Sequence, residues 1–144
     1  MDALKSIERW VDSGMRLTAI ETPDPEHVTH LFRLYSRETG KAVYLWSPDV
    51  GLFRLGAEFI PIPRTLRPAD ALEYILSSIH FGIYLLRDFP GDAQGVRTGN
   101  LLRRIASETT RVPRNVFLIG SAVNIAPSLR PHLQHVRHVL PKAV

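Results

Sequence analysis

The 144-residue sequence contains no cysteine. That removes a disulfide scaffold, a thiolate zinc site and a cysteine nucleophile together. It also lacks any run of about 18 apolar residues, the length a membrane helix requires. Its start, Met1-Asp2-Ala3-Leu4-Lys5, is too polar for a secretory signal. A cytoplasmic protein without membrane contact is the resulting expectation. Lysine is scarce as well: of 18 basic residues only Lys5, Lys41 and Lys142 are lysines, so the cationic chemistry is arginine chemistry. Aromatic residues make up 8%, and the last third holds only Phe117.

What is present is an ordinary globular balance, 44% hydrophobic and 22% charged, which argues against wholesale disorder. A chain of this length folds as one domain, here residues 1–144, and buries roughly 68–70% of its unfolded surface. The net charge of +4 is uneven, with residues 91–144 carrying +6 and residues 1–90 carrying −2. The basic group Arg97, Arg103, Arg104, Arg111 and Arg114 is therefore a candidate anion-facing patch, since the planar guanidinium suits phosphate and carboxylate. Nucleic-acid binding is only the weakest alternative: stacking needs exposed aromatics among the basic residues, and these are missing.

The most informative stretch is Phe81-Gly82-Ile83-Tyr84-Leu85-Leu86-Arg87-Asp88-Phe89-Pro90. Its bare apolar run reads as a strand covered on both faces. Arg87 and Asp88 then stand at the carboxyl end, where open α/β sheets present functional groups. Further strands are expected at 17–22, 42–47, 116–120 and 135–140. Helices are expected from Asp2 to Gly14, from Pro25 to Gly40, from Pro68 through Leu72, Ile75, Leu76 and Ile79, around Leu101, Leu102 and Ile105, and briefly from Pro127 to Leu133. Segments 51–55 and 58–62 can form a small hairpin. Strands alternating with helices imply a three-layer α/β fold around a mainly parallel five-stranded sheet.

In a nucleotide hydrolase of the P-loop class, the junction after the first strand supplies glycines, a lysine and a hydroxyl to cradle phosphate. Here it reads Glu21-Thr22-Pro23-Asp24-Pro25-Glu26-His27. There is no glycine or lysine, two prolines remove N–H donors, and three carboxylates repel a triphosphate. Asp88, in the place of a magnesium ligand, is followed by Phe89 rather than by a glutamate able to polarise water. No catalytic residue and no cofactor is expected, and Asp88 is read as a loop cap or ion-pair partner, with Arg87 beside it. The histidine groups His27/His30 and His132/His135/His138 read as surface residues, because a strand would turn His135 and His138 to opposite faces; no metal is expected. If a ligand binds, Thr22, Ser47, Asp88 and Ser121 would line the carboxyl edge, with Asn124 nearby.

The pieces Leu17-Thr18-Ala19-Ile20-Glu21-Thr22, Ala42-Val43-Tyr44-Leu45-Trp46-Ser47, Pro68-Ala69-Asp70-Ala71-Leu72-Glu73-Tyr74-Ile75, Gly82–Phe89 and Val116–Ser121 cover most of the chain in order. Together this pattern resembles the N-terminal domain of an AAA+ ATPase family found in plastid reading frames and in bacteria. The resemblance implies a degenerate P-loop-like fold with strand order 5-1-4-3-2 and no Walker A loop, standing before a catalytic module that this sequence does not contain. It implies a non-catalytic regulatory or protein-interaction domain, whose partner is a separate AAA+ ATPase or a second copy of itself. The alternative is a small anionic ligand or nucleotide bound at the carboxyl edge without hydrolysis.

Overall fold

The computed structural model describes residues 2–89, 96–108, 113–123 and 125–137. The element order is α1 (Asp2–Asp12), β1 (Leu17–Glu21), α2 (Pro25–Thr39), β2 (Val43–Ser47), β3 (Gly51–Arg54), α3 (Pro68–Ser77), β4 (Gly82–Arg87), α4 (Val96–Ser107), β5 (Arg114–Gly120), a 3-10 turn (Pro127–His132) and β6 (Gln134–Arg137). One sheet runs β3-β2-β4-β5-β1-β6, and every pairing is parallel except β2 with β3.

Strands β6-β1-β5-β4-β2 reproduce the order expected for the five parallel strands. The sixth, β3, is a correction. Segment 51–54 folds back antiparallel on β2, with Gly51 opposite Ser47; 58–62 forms no strand beside it and meets it through Ile62 N–H, which donates to Leu52 O at 2.7 Å. Pro48 and Asp49 end β2 but also make the turn. Gly51 is required there: its φ is +86°, and a Cβ would lie 2.8 Å from Thr65 Oγ1. That hydroxyl accepts from Leu52 N–H at 2.9 Å, and Trp46 Nε1–H donates to Thr65 O at 2.7 Å. The 55–67 connection is thus held to the sheet edge by hydrogen bonds from both neighbouring strands.

Two apolar layers cover the sheet. On one face α1 and α2 bring Ile7, Val11, Val28, Leu31, Phe32 and Tyr35 against Ile20, Ile83, Leu85 and Phe117. On the other, α3, α4 and the 3-10 turn bring Leu72, Ile75, Leu101, Leu102, Ile105 and Leu129 against Leu17, Ala19, Tyr84, Leu86, Val116 and Leu118. Strand residues alternate between the layers with period two, so the central strands β4 and β5 read as apolar runs. α3 ends earlier than its apolar pattern suggests. It stops at Ser77, and Ile79 beyond it is 78% exposed, because Ser78 has already left the helical conformation.

Candidate functional site

The carboxyl edge is built from the ends of β1, β4 and β5 and the chain that follows each. One hydrogen bond carries each neighbour past the end of the ladder: Thr22 N–H donates to Gly120 O and Asp88 N–H to Ile119 O, both at 2.9 Å. Thr22, Asp88 and Ser121 are therefore gathered around Gly120. A Cβ on Gly120 would sit 3.6 Å from Asp88 Oδ1, so the carboxylate stands over this glycine. Asp88 has φ +53°, a left-handed conformation that aspartate tolerates better than bulky residues. Ser47 lies on β2, beyond β4, where its carbonyl accepts from Val50 N–H in the hairpin turn.

Two of these placements correct expectation. Thr22 is 2% exposed, and its hydroxyl accepts from Asp24 N–H at 3.2 Å, so it braces the loop from within instead of facing a ligand. Arg87 does not pair with Asp88. It shares the α2 face with Ile83 and Leu85 and forms an ion pair with Glu26 in the first turn of α2.

The β1–α2 junction itself is closed by its own groups. Asp24 caps α2, its Oδ1 accepting from His27 N–H at 3.2 Å, while Val28 N–H reaches Asp24 O at 3.4 Å. Pro25 occupies the first helical position and has no N–H to offer. Glu26 adds a carboxylate to the positive end of the helix dipole and is itself held by Arg87. The helix start that would receive phosphate in a nucleotide hydrolase is met here by two carboxylates and a proline.

Of the arginines expected to form a basic patch, Arg97, Arg103 and Arg104 lie together on α4, each with a partner. Arg97 pairs with Glu73 on α3 and Arg104 with Glu108, while Arg103 donates to Asn100 Oδ1 at 3.0 Å and Ser128 Oγ at 3.2 Å. Arg114 corrects the expectation outright. It is 3% exposed and donates to Ile75 O at 2.9 Å and Leu76 O at 2.7 Å, closing the end of α3. Arg111 and Asn124 lie outside the described residues, as does His138. His27 and His30 are exposed on α2. Among the described residues, no three His, Asp or Glu side chains come together as a metal site.

Sequence reasoning missed a second group on this edge. Parallel pairing sets Ala19 opposite His135 and Glu21 opposite Arg137; Glu21, His135 and Arg137 thus share the face covered by the 3-10 turn. Glu21 Oε2 accepts from Val123 N–H at 3.3 Å, and Oε1 lies 2.9 Å from His135 Nε2 and 3.5 Å from Arg137 Nε. These contacts hold the Glu21 carboxyl below its ordinary pKa: the Val123 N–H is the largest cause, burial opposes it, and His135 and Arg137 assist. Beyond them opens a hollow of about 430 Å³ lined by Glu21, Val123, Ile125, Arg130, Leu133, His135 and Arg137. The available signal was the expected adjacency of last and first strands, with His135 and Arg137 at period two.

No helix among the described residues is long and apolar enough to cross a membrane. Comparison with curated proteins gives no match. The family model for the SpoVK-like AAA ATPase N-terminal domain matches residues 3–138. It bears out the resemblance to the N-terminal domain of an AAA ATPase and lends nothing to the plastid-reading-frame branch. The fold and this match agree: the chain belongs to the family of SpoVK-like AAA ATPase N-terminal domains.

Proposed function

We propose that this domain is a non-catalytic regulatory and interaction domain that acts on an AAA ATPase module and does not itself bind or hydrolyse ATP at its first strand–helix junction. The observation that carries this reading is the closed junction. Asp24 takes the His27 and Val28 N–H groups, Pro25 removes one, and Glu26 is paired with Arg87. A triphosphate placed there would displace these bonds and meet two carboxylates, an arrangement opposite to the donor-rich cradle that phosphate transfer needs. Asp88 is not accompanied by the glycine–lysine loop after β1 that would share a magnesium ion with a nucleotide's phosphates; it borders Gly120 instead. The fold is kept as a scaffold and its phosphate chemistry is replaced by self-capping.

The contact surface that suits this role is the connection outside β3. Phe59, Ile60 and Leu66 are 58%, 65% and 52% exposed within eight residues of chain, and Phe59 is fixed edge-on against Phe53 at 4.9 Å between ring centroids. Exposed apolar side chains held in place next to an edge strand mark an interaction surface. The partner is the AAA module of this family. The test is the ATPase rate of such a module with and without the domain. Added domain should change that rate about twofold or more, and Ile60→Asp should remove the effect, while the domain alone should release no phosphate. Hydrolysis by the domain alone would refute the reading, as would an unchanged module rate at saturating domain.

A further inference from the structure

We propose that the hollow beyond Glu21 is a binding site for a small organic anion, a carboxylate or a phosphate monoester joined to a compact apolar body. This inference stands apart from the regulatory reading and does not depend on it. It rests on topology, on lining chemistry and on how the cations are held.

Topologically the hollow lies at the point where the sheet's connections diverge. β1 and β5 are adjacent, yet the chain after β1 forms α2 on one face, and the chain after β5 forms the 3-10 turn on the other. Such a crevice outside the carboxyl ends is where open parallel sheets receive ligands. The self-capped start of α2 closes one side of it. The hollow of about 430 Å³ opens on the opposite side, within the range of about 300–1,000 Å³ typical of small-molecule sites.

The lining is divided. Val123, Ile125 and Leu133 form an apolar floor, and Arg130, His135 and Arg137 stand at the polar rim with Glu21. Surface arginines are ordinarily just solvated, and two on a flat face would mean nothing. Here they line a cavity together with Val123, Ile125 and Leu133. Glu21 engages Arg137 at Nε, at 3.5 Å, and the Arg137 side chain is otherwise largely exposed. Arg130 has no ion-pair partner among the described residues. Two arginines thus line one cavity in which Glu21 is the single lining carboxylate. An anion of planar or tetrahedral oxygens satisfies both in a way that lysine would not. Glu21 acts as a positioning residue: it accepts from Val123 N–H and His135, tying the loop after β5 to β1 and β6, and so fixes the cavity's shape. Its charge would also disfavour a bare multivalent ion, so an anion whose apolar part covers Val123 and Leu133 fits better than inorganic phosphate.

The test is amide NMR of the full chain, titrated with phenyl phosphate and benzoate as organic anions, inorganic phosphate as headgroup alone and benzyl alcohol as neutral control. At least one organic anion should move the amides of Val123, Ile125, His135 and Arg137 saturably, with Kd of about 1 mM or tighter. Whichever of the two binds more tightly identifies the headgroup. Inorganic phosphate should bind about tenfold more weakly, and benzyl alcohol should not saturate. The double variant Arg130→Gln/Arg137→Gln, confined to exposed side chains, should keep the remaining spectrum and lose about tenfold or more in affinity. The proposal is overturned if neither organic anion saturates below about 10 mM, if the shifts fall elsewhere, or if the double variant binds unchanged. Equal binding of inorganic phosphate or benzyl alcohol would also overturn it.

Discussion

Replacing Arg114 by methionine separates a structural arginine from an anion-binding one. Methionine keeps much of the side chain's length and apolar packing but removes every donor. The guanidinium spans the end of α3: Nη1 donates to both Ile75 O and Leu76 O. Ile75 O also accepts from Ser78 N–H at 3.2 Å and so keeps one partner in the variant. Leu76 O has no second bond of this kind among the described residues. A stranded acceptor costs about 1–3 kcal/mol, and loss of the shared bond adds about 0.5–1.5 kcal/mol. A cation lost from a helix carboxyl end adds about 0.3–1 kcal/mol. Against this, the variant escapes the cost of burying a charge, the same cost that pushes the Arg114 pKa down. The net expectation is about 2–4 kcal/mol of destabilisation. Urea unfolding followed by tryptophan fluorescence should show a midpoint lowered by about 1–2 M. Arg104→Met, which removes only the exposed pair with Glu108, should cost about 0.3–0.5 kcal/mol. Equal effects of the two variants would refute the assignment of Arg114 to the core.

Two further outcomes follow from the edge and the hairpin. Glu21 has a folded-state pKa below its ordinary value, so its ionised form stabilises the fold. That contribution is complete above the ordinary carboxylate range and disappears as pH falls through the lowered folded value. Glu21→Gln should therefore lower the Tm at pH 7, with the difference from wild type closing below about pH 4; a gap that persists into stronger acid would contradict the contacts to Val123 and His135. Gly51→Ala forces a side chain into φ +86° and to within 2.8 Å of Thr65 Oγ1, and should cost about 1–3 kcal/mol, read as a lowered urea midpoint; a neutral result would mean the β2–β3 turn adopts another conformation.

The parallel core was legible because its strands are buried on both faces. Val116-Phe117-Leu118-Ile119 and Ile83-Tyr84-Leu85-Leu86 are apolar without alternation, and that pattern has few other readings at such lengths. Edge strands carry weaker signals. β3 has only four residues, and its pairing depends on a turn through Pro48-Asp49 that also reads as a simple stop. Arg114 was misjudged for a related reason. Net charge counts Arg104 and Arg114 alike, whereas burial at the first residue of a central strand gives Arg114 to α3. The rim of Glu21, Arg130, His135 and Arg137 escaped notice because Glu21 lies more than 100 residues from the other three. Only the pairing of β6 with β1 brings them together. The closed junction, by contrast, was readable from Thr22-Pro23-Asp24-Pro25 alone, since cap and proline preferences are local.

The most direct measurement is an amide NMR titration of the domain with magnesium ATP, combined with a phosphate-release assay on the same sample. If the β1–α2 junction is closed by its own side chains, the amides of Thr22, Asp24, Glu26 and His27 stay in place at millimolar nucleotide and no phosphate appears. Saturable shifts of those four amides, with phosphate released above the blank, would contradict it.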